Sequence, residues 1–418
     1  MSFRRVKIES TYEGLYDGPH ATPKPSDSGP VFLGIGNITS DGQLDLSDVR
    51  HIAEEDYAAW TKRVVPEPGD IVFTYEATLN RYAIIPQGFR GCLGRRLALI
   101  RPNSAKVNPR FLFLYFFGQD WRNTISGNIL SGATVDRIPL TKFPEFEVNL
   151  PPRPVQDKIA DILSAYDDLI ENNTRRIKIL EQMAQMLYRE WFVNFRFPGH
   201  EKVKMVESEM GLIPEGWNLC PVTQAVDVDP TTKVPRDGVK PFVPMGSLSP
   251  NSMLINDVEK REGNSGSKFR NGDTLFARIT PCLENGKTGF VQFLPTDDAV
   301  AFGSTEFIVL RSRTVCPEYV YLMARSDEFR DNAIKSMSGA TGRQRVQQQS
   351  FDRFFIAQPP SDLLECFQSA VAQMFRLIQT LSLKSTNLRT TRDLLLPNLV
   401  SGEVSVENLE QEALAETA

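Results

Sequence analysis

Two long stretches of the chain repeat apolar side chains at a spacing close to 3.5 residues. In the first stretch the repeated positions are Val155, Ile159, Ile162, Tyr166, Leu169, Asn173, Arg176, Leu180, Met183 and Leu187. In the second stretch they are Leu364, Phe367, Val371, Met374, Ile378, Leu381, Ser385, Leu388, Arg392 and Leu395. This spacing is typical of coiled-coil helices, because it keeps one apolar stripe turned toward a partner helix. The pattern therefore predicts two long helices.

Prolines and glycines set the predicted ends of both helices. Three prolines, Pro151, Pro152 and Pro154, suit a first helical turn, and Pro198-Gly199 closes the first stretch. The first helix is then about 36 residues and about 54 Å long. The second helix is expected to start after Pro359-Pro360 and to stop near Pro397 and Gly402.

Taken alone, the first stretch also fits an ordinary amphipathic helix that packs on one core. Its stripe contains Asn173 and Arg176, and polar residues on a stripe often fix the register of a helix pair. The second stretch, with the same spacing, favours a pair. Two helices of similar length in one chain bury their stripes most simply against each other, in antiparallel packing.

The segments outside these helices are β-rich. Short apolar runs broken by Gly, Pro, Asp and Asn fill residues 1–150, and the same style resumes after the connector 201–217. One helix is predicted in each segment, over Pro109 to Trp121 and over Pro317 to Lys335.

Four sequence landmarks of the first β-rich segment recur in the second, in the same order and at offsets between 203 and 210 residues. The pairs are Gly36-Asn37-Ile38 with Gly246-Ser247-Leu248, Gly69-Asp70-Ile71-Val72-Phe73 with Gly272-Asp273-Thr274-Leu275-Phe276, Ser131-Gly132-Ala133-Thr134 with Ser338-Gly339-Ala340-Thr341, and Pro151-Pro152 with Pro359-Pro360. One such match could arise by chance, but four at nearly one offset indicate an internal repeat.

The predicted fold is therefore α+β, with two β-rich domains separated by two long antiparallel coiled-coil helices and related by a pseudo-twofold axis. The predicted segments are a first domain, a central helix, a second domain, a distal helix and an acidic C-terminal tail, at 1–152, 153–198, 199–358, 359–400 and 401–418.

Composition limits the classes of protein to consider. The hydrophobic content is 41% and the charged content 24%, values that are ordinary for a globular protein. No apolar run reaches about 18 residues and MSFRRVKIES has no apolar signal core, so we expect a cytoplasmic protein without a membrane segment. The 5 cysteines and 3 histidines are scattered, which argues against a zinc site or a disulfide framework. A net charge of −5 does not exclude local basic surfaces.

No stretch of the sequence carries a complete catalytic motif. Phe32-Leu-Gly-Ile-Gly36 has the spacing of an S-adenosylmethionine loop, but turn sequence follows it where a helix should begin. In Asn149-Leu-Pro-Pro-Arg153 the inserted leucine and the arginine break the Asn-Pro-Pro-aromatic motif of amino-methyltransferases. No phosphate-binding loop and no nuclease-like acidic cluster is present. Catalysis is therefore expected in another subunit, or not at all.

Arginine, glutamine and small polar residues near the predicted turns are suited to DNA. The candidates are Tyr75, Arg81, Arg95, Arg96, Ser131 and Thr134 in the first repeat, and Arg278, Thr280, Asn285, Lys287, Arg343, Gln344 and Arg345 in the second. Further candidates near the same turns are Asn80, Arg90, Arg101 and Arg122.

Each of these residues, taken singly, is better explained as a solvated surface residue than as a DNA contact. Arg343-Gln344-Arg345 is the strongest candidate, because Gly339 and Gly342 predict an exposed loop there. Its counterpart in the first repeat, Asp136-Arg137, is less basic, so the two domains should read different bases.

The chain resembles the specificity subunits of type I restriction-modification systems. The resemblance rests on the repeat and on Pro151-Pro-Arg-Pro-Val-Gln-Asp-Lys-Ile159, Gly211-Leu-Ile-Pro-Glu-Gly-Trp217, Asp273-Thr-Leu-Phe-Ala-Arg-Ile-Thr-Pro281, Leu388-Arg-Thr-Thr-Arg-Asp-Leu-Leu-Leu-Pro397 and Ser401-Gly-Glu-Val404. It departs from the pattern at the start, where no Pro-Glu-Gly-Trp precedes Gly34, so residues 1–30 are expected to form a different first strand.

The resemblance implies two target-recognition domains, each reading one half of a bipartite target in double-stranded DNA, with the paired helices fixing the gap. It implies two modification subunits that bring S-adenosylmethionine and methylate adenine, and restriction subunits that use ATP and Mg²⁺. No cofactor and no catalytic or metal site is expected in this chain. The alternatives are a stand-alone DNA methyltransferase or fused restriction-methylation enzyme, and a structural coiled-coil adaptor.

Overall fold

The computed structural model describes residues 3–130, 135–340 and 342–406. The predicted α+β fold is confirmed: the chain forms small sheets, short helices and two long helices. It divides into two compact units. Unit 1 comprises Met1–Leu169 and Asn387–Ala418, and unit 2 comprises Ile170–Thr386. Each long helix thus contributes to both units.

Unit 1 contains nine strands, two short helices and a single helical turn among its described residues. The strands are β1 Arg4–Lys7, β2 Tyr12–Asp17, β3 Ser26–Leu33, β4 Arg50–His51, β5 Ile71–Thr74, β6 Tyr82–Ile84, β7 Gly91–Leu93, β8 Leu97–Pro102 and β9 Glu147–Leu150. The helices are α1 Tyr57–Trp60, α2 Pro109–Tyr115 and α3 Gln119–Gly127. A four-stranded sheet has the order β2-β8-β5-β6, a three-stranded sheet the order β4-β3-β7, and β1 pairs with β9.

The first long helix, α4, runs over Arg153–Tyr188 and continues into a π-helical turn at Arg189–Val193. It begins where predicted, because Pro152 precedes it and the side-chain Nε2 of Gln156 donates a hydrogen bond to the Pro151 carbonyl at 2.9 Å. It ends before Pro198, since Phe195 adopts a positive φ of 56°.

Unit 2 repeats the plan of unit 1 and adds a hairpin at its start. Its strands are β10 Met205–Ser208, β11 Gly211–Pro214, β12 Asn218–Pro221, β13 Val226–Val228, β14 Lys240–Val243, β15 Glu259–Arg261, β16 Ser267–Arg270, β17 Thr274–Ala277, β18 Thr288–Phe290, β19 Val300–Gly303, β20 Phe307–Ser312 and β21 Phe355–Gln358. Its helices are α5 Val222–Ala225, α6 Pro317–Arg325 and α7 Asp327–Lys335, followed by the second long helix α8, Ser361–Ser401.

The sheets of the two units correspond, except that unit 2 has one additional strand, β16, which pairs with β19. The order β13-β20-β17-β18 in unit 2 corresponds to β2-β8-β5-β6 in unit 1, and β15-β14-β19 corresponds to β4-β3-β7. The pairs β3–β7 and β14–β19 are both parallel, with Phe32 opposite Cys92 and Phe242 opposite Phe302. The first strand also matches, because β1 pairs with β9 as β12 pairs with β21. The internal repeat read from the sequence is therefore present in the fold.

The predicted single helix of each unit is in fact two helices. A break follows Tyr115 in unit 1, and Gly118 there has an extended backbone with ψ of 156°. In unit 2 the break is at Ser326, which has ψ of 150° and accepts a hydrogen bond from the Phe329 amide at 3.3 Å. Ser326 acts as the N-cap of α7, a role for which serine is well suited.

A buried ion pair recurs at the same place in both units. Arg101 donates from Nε and Nη2 to the two oxygens of Asp70 at 2.9 Å each. Arg311 does the same to Asp273 at 2.7 Å each. Both carboxylates are buried, and each also accepts from a main-chain amide in the preceding turn, at 2.8 Å. The aspartate of the repeated Gly-Asp motif thus ties the turn before β5 or β17 to the neighbouring strand.

Removal of the unit 2 carboxylate is expected to destabilise that unit strongly. In Asp273→Ala the half-buried Arg311 guanidinium loses its partner, a change that costs about 3–5 kcal/mol for a buried pair. Hydrogen exchange of the β17 amides should report the loss. The control is Asp227→Ala, which breaks the exposed Arg313–Asp227 pair and should cost about 1 kcal/mol or less. Equal protection of β17 in both variants would contradict this role for Asp273.

The two long helices pack against each other in antiparallel fashion within each unit. In unit 1, Arg392 near the end of α8 donates from Nη1 to Asp167 of α4 at 2.6 Å. In unit 2, Phe192 just after α4 lies edge-on to Phe367 near the start of α8, with ring centroids 4.7 Å apart. Both helices also join the core of each unit, since Leu163 and Leu399 belong to one apolar cluster and Ala184 and Ile378 to another.

The stripe predicted for α4 is displaced by one position at three places, whereas Ile159 and Asn173 are buried where it was predicted. Three predicted stripe residues, Leu169, Arg176 and Met183, are exposed, whereas their successors Ile170 and Ala184 are buried and Ile177 is half-buried. The displacement arises because several true stripe positions carry polar residues, including Gln156 and Glu181, which are buried through specific hydrogen bonds.

The stripe of α8 is as predicted at most positions. Leu364, Phe367, Val371 and Ile378 are buried. The helix ends at Ser401, directly before Gly402, which was one of the two predicted end positions and has a positive φ of 79°, whereas Pro397 lies inside α8.

Glu181 introduces a pH dependence into unit 2. Its Oε1 accepts from the Met253 amide at 2.6 Å and from the Ser252 hydroxyl at 2.8 Å, and burial raises the pKa of this carboxyl. A raised pKa in the folded state means that the contribution is favourable at low pH and is lost as pH rises through the folded pKa. Glu181→Gln should therefore weaken the fall in unfolding free energy as the pH rises above the ordinary pKa of a glutamate, measured by urea denaturation at a series of pH values. Glu171→Gln, on the exposed side of α4, should leave that pH dependence unchanged.

Of the helices formed by the described residues, none combines the length and the apolar character that a membrane span requires.

Candidate functional site

Three of the predicted DNA-binding residues meet in a groove of unit 2. The groove has a cavity volume of ≈ 620 Å³ and is called the loop groove here. Its lining residues are Arg278, Ser338, Gly339, Ala340, Arg343, Arg345, Val346, Gln347, Gln348 and Gln349. Arginine and glutamine side chains dominate its polar groups, and both can bind base edges in the major groove of DNA.

The loop of the groove is shaped by two glycines. Gly339 has φ of 125° and Gly342 has φ of 79°, conformations that residues with a side chain rarely adopt. Ser338 and Arg345 exchange two main-chain hydrogen bonds of 3.1 and 2.9 Å across the loop. The predicted exposed loop is thus present, and the Arg343 side chain is exposed on it.

A set of main-chain hydrogen bonds attaches this loop to the end of β17. The Val346 amide donates to the Arg278 carbonyl at 2.9 Å, the Thr280 amide to the Gln344 carbonyl at 3.2 Å, and the Arg278 amide to the Glu306 carbonyl at 3.0 Å. Together with the Ser338–Arg345 pair, these bonds are called the loop frame. Because the frame uses main-chain atoms only, it fixes the positions of the Cα atoms in the loop and leaves the identity of the side chains open.

One carboxylate, Glu306, organises the charges of the loop groove. Arg345 donates to it from Nε at 2.9 Å and from Nη2 at 2.6 Å, and Arg278 places Nε 3.7 Å from it. The hydrogen bond from Arg345 is the main reason that the pKa of Glu306 lies below its usual range. The Glu306 carboxylate is therefore charged at neutral pH. It holds Arg345 at the edge of the guanidinium formed by Nε and Nη2.

The remaining candidates of unit 2 differ in their exposure and in whether their side chains already form hydrogen bonds. Within the part of the chain that the structure describes, the Arg343 guanidinium has no hydrogen bond or ion pair. Lys287 donates to the Met245 carbonyl at 3.3 Å, and Asn285 is exposed. Thr280 lies behind the loop, where its hydroxyl is 3.5 Å from the Gln344 carbonyl. None of these last three lines the loop groove.

Unit 1 contains the same loop frame with different side chains. All of its bonds run from a main-chain amide to a main-chain carbonyl, with N–O distances of 2.8–3.2 Å. The amide of Ile138 donates to the carbonyl of Tyr75, that of Ala77 to Asp136, and that of Tyr75 to Arg96. Leu130 and Arg137 exchange two such bonds. Each of these bonds has its counterpart in unit 2. By this correspondence Arg137 takes the place of Arg345, and Arg96 takes the place of Glu306.

The predicted residues of unit 1 are only partly available to a ligand. Tyr75 is 5% exposed, and its hydroxyl donates to the Arg95 carbonyl at 2.9 Å. Burial raises the pKa of Tyr75 to about 12, and this side chain serves the fold. Arg81 is half-buried and donates to the Ile38 carbonyl, Arg96 pairs with Glu76 at 3.4 Å, and Arg95 is exposed. Ser131 and Thr134 lie outside the described residues.

Two further arginines proposed from the sequence are engaged in ion pairs. Arg101 belongs to the buried pair with Asp70, and Arg90 pairs with Glu54 and lies over the Tyr57 ring. Arg101 is therefore a structural residue.

The sequence interpretation missed two features of the loop groove. Gln347, Gln348 and Gln349 line it just after Val346, and the run of three glutamines was the available signal. Arg137 was noted only as a weaker counterpart, although its offset from Arg345 of 208 residues equals that between Pro151 and Pro359. Its side chain is exposed in the structure.

The lining residues of the loop groove offer cationic and amide donors. Arginine edges can bind guanine or phosphate, and glutamine can bind adenine. The geometry therefore suits recognition of nucleic acid.

The sequence is similar to those of several known proteins. Residues 27–182 match the family model of the type I restriction modification DNA specificity domain. The MjaIX type I restriction enzyme specificity subunit of Methanocaldococcus jannaschii is 25% identical over 378 residues, covering 86% of this chain and 83% of that subunit. The HindI specificity subunit of Haemophilus influenzae is 24% identical, covering 90% of this chain and 94% of that subunit.

A solved structure supports the fold. The crystal structure of a type I restriction-modification system S subunit from M. genitalium aligns with a TM-score of 0.55 and 12% identity, covering 96% of each chain. Together with the family model and the two full-length relatives, it agrees with the resemblance seen in the sequence. Over most of its length the chain is therefore similar to type I restriction-modification specificity subunits, and its residues 27–182 match the specificity domain of that family.

Proposed function

We propose that this chain selects the DNA target of a type I restriction-modification complex, with each unit reading one half of a bipartite sequence in double-stranded DNA. Two modification subunits then methylate adenine at that target, and restriction subunits cleave DNA that lacks the mark. The complex works on cytoplasmic DNA. S-adenosylmethionine, ATP and Mg²⁺ belong to the partner subunits, and this chain has no catalytic activity of its own.

The repeated loop frame is the observation that carries this proposal. Two copies of one backbone arrangement present different side chains, Arg345 with Glu306 in unit 2 and Arg137 with Arg96 in unit 1. Two loops with the same backbone but different side chains are suited to a target whose two half-sites differ in sequence. Since both are in one chain, the second half-site binds at a high effective concentration when its spacing is right, so two modest contacts give one selective target.

Sequencing of modified bases in single DNA molecules tests the proposal. A host that carries this chain and its modification subunits should methylate adenines in one bipartite motif, and deletion of this chain should abolish that motif. Methylation that persists after the deletion would overturn the proposal.

Two measurements separate the competing functions. A stand-alone methyltransferase would bind S-adenosylmethionine and methylate DNA as the purified chain, whereas we expect neither. A coiled-coil adaptor without a DNA surface would leave the mobility of target DNA unchanged in a gel-shift assay with the modification subunits, whereas we expect a shifted complex that is selective for the motif.

A further inference from the structure

Arg345 is held in an orientation that suits one particular base contact. A guanidinium has two edges that can form paired hydrogen bonds, one at Nε and Nη2 and one at Nη1 and Nη2. Glu306 occupies the first edge, with Nε and Nη2 bonds of 2.9 and 2.6 Å. Among the described residues, none forms a hydrogen bond to Nη1 on the second edge. It is the edge that an arginine uses end-on against the O6 and N7 acceptors of guanine.

The surroundings of Glu306 hold it in place for this role. It follows Ser304, whose hydroxyl accepts from the Glu306 amide at 3.2 Å, and it directly precedes β20. Its carbonyl accepts from the Arg278 amide in the loop frame at 3.0 Å. Arg278 adds a second positive charge beside the carboxylate, and its Nε has no hydrogen-bond partner in the described structure. Glu306 is thus tied to the strand that anchors the loop.

The corresponding position of unit 1 lacks this carboxylate. Arg96 stands there and pairs with Glu76 at 3.4 Å. The Arg137 guanidinium, which corresponds to Arg345, has no hydrogen bond or ion pair within the described residues. An arginine that is not held loses more side-chain entropy when it binds, and it adapts readily to a phosphate. The two units therefore differ in how their loop arginines are oriented.

We propose that Glu306 is a positioning residue that fixes Arg345 for end-on recognition of a guanine in the half-site of unit 2. This inference rests on the proposed function and names one base of that half-site. Arg137 of unit 1, without such support, contributes binding energy with little base preference. A preoriented arginine discriminates better because its productive geometry is already formed before DNA arrives.

The experiment uses the full chain together with its modification subunits and a target whose motif has first been established with the wild-type chain. Methylation rates are measured on targets in which each base pair of the two half-sites is changed in turn. Glu306→Ala should reduce methylation of the intact target about 10-fold. It should also flatten the preference at one guanine of the unit 2 half-site, while preferences in the other half-site stay unchanged.

A double-mutant cycle shows whether Glu306 acts through Arg345. In an Arg345→Ala background, Glu306→Ala should cause no further loss at that base pair, since the group that it orients is gone. Glu306→Gln keeps the size of the side chain and one acceptor oxygen, and it should give an intermediate loss. The control Asp227→Asn alters another carboxylate in an arginine pair of unit 2 and should change no base preference.

Three results would overturn the inference. One is additive loss in the double variant. Another is a uniform loss across every base pair. The third is tighter binding of all DNA by Glu306→Ala, which would mean that Glu306 withholds Arg345 from DNA. Failure of the proposed function itself is distinct, because the wild-type complex would then show no bipartite motif.

Discussion

Arg343→Ala is expected to lower methylation of the target by about 10- to 100-fold, and to do so through one half-site only. Arg343 is exposed on the loop held by Gly339 and Gly342, and within the described residues its guanidinium has no partner to lose. A good arginine contact to a base contributes about 1–3 kcal/mol of discrimination, which corresponds to this range of rates. The fold should be unaffected, because the loop frame involves main-chain atoms only.

The measurement compares methylation of targets that carry single base changes in either half-site, with the full complex. Arg353→Ala, an exposed arginine of unit 2 that does not line the loop groove, serves as the control and should change the rate less than twofold. If Arg343→Ala weakens methylation equally for every sequence and reduces the dependence of binding on salt, the residue binds phosphate instead.

Shortening both long helices by one heptad is expected to change the gap between the half-sites. Removal of 174–180 from α4 and of 379–385 from α8 takes away about 10 Å from each helix, close to the rise of three base pairs. A deletion of seven residues preserves the 3.5-residue spacing, so the remaining stripes can still pair. We propose that the helices set the distance between the two reading loops, and the expected motif is the same pair of half-sites with a shorter gap.

The motif of the shortened chain is read by sequencing modified bases in host DNA. Single deletions, in α4 or in α8 alone, are the matched controls, and they should abolish methylation because the stripes no longer lie opposite each other. Complete loss of methylation in the double deletion is also compatible with a spacer role, since a change of three base pairs alters the phase of the two half-sites on the DNA helix. An unchanged gap in an active complex would show that the helices do not determine it.

The fold was largely predictable because its signals are local and repeated. Periodic apolar residues predicted both long helices, and the Gly-Asp motifs at 69 and 272 revealed the repeat, since each aspartate is required for the same buried ion pair. The stripe of α4 was displaced because polar residues occupy true stripe positions. Glu181 is buried there only because the Met253 amide and the Ser252 hydroxyl donate to it, and these partners are remote in sequence.

The candidate site was less predictable than the fold. Counting arginines near turns identified the Arg343-Gln344-Arg345 loop, but it also selected Tyr75, which is buried, and Arg101, which is paired with Asp70. Whether an arginine is available depends on which carboxylate lies beside it in space. Glu306 is 39 residues from Arg345 in the sequence, so no local pattern could reveal that pair.

The loop frame has a consequence for how such proteins diversify. Because main-chain atoms make all of its hydrogen bonds, side chains at positions such as 96, 137, 306 and 345 are free to vary without loss of the bonds that hold the loop. A lineage can therefore acquire a new target through a few substitutions, and each unit can change independently of the other. Such substitutions would change which DNA sequence is methylated, while the fold of the chain stays the same.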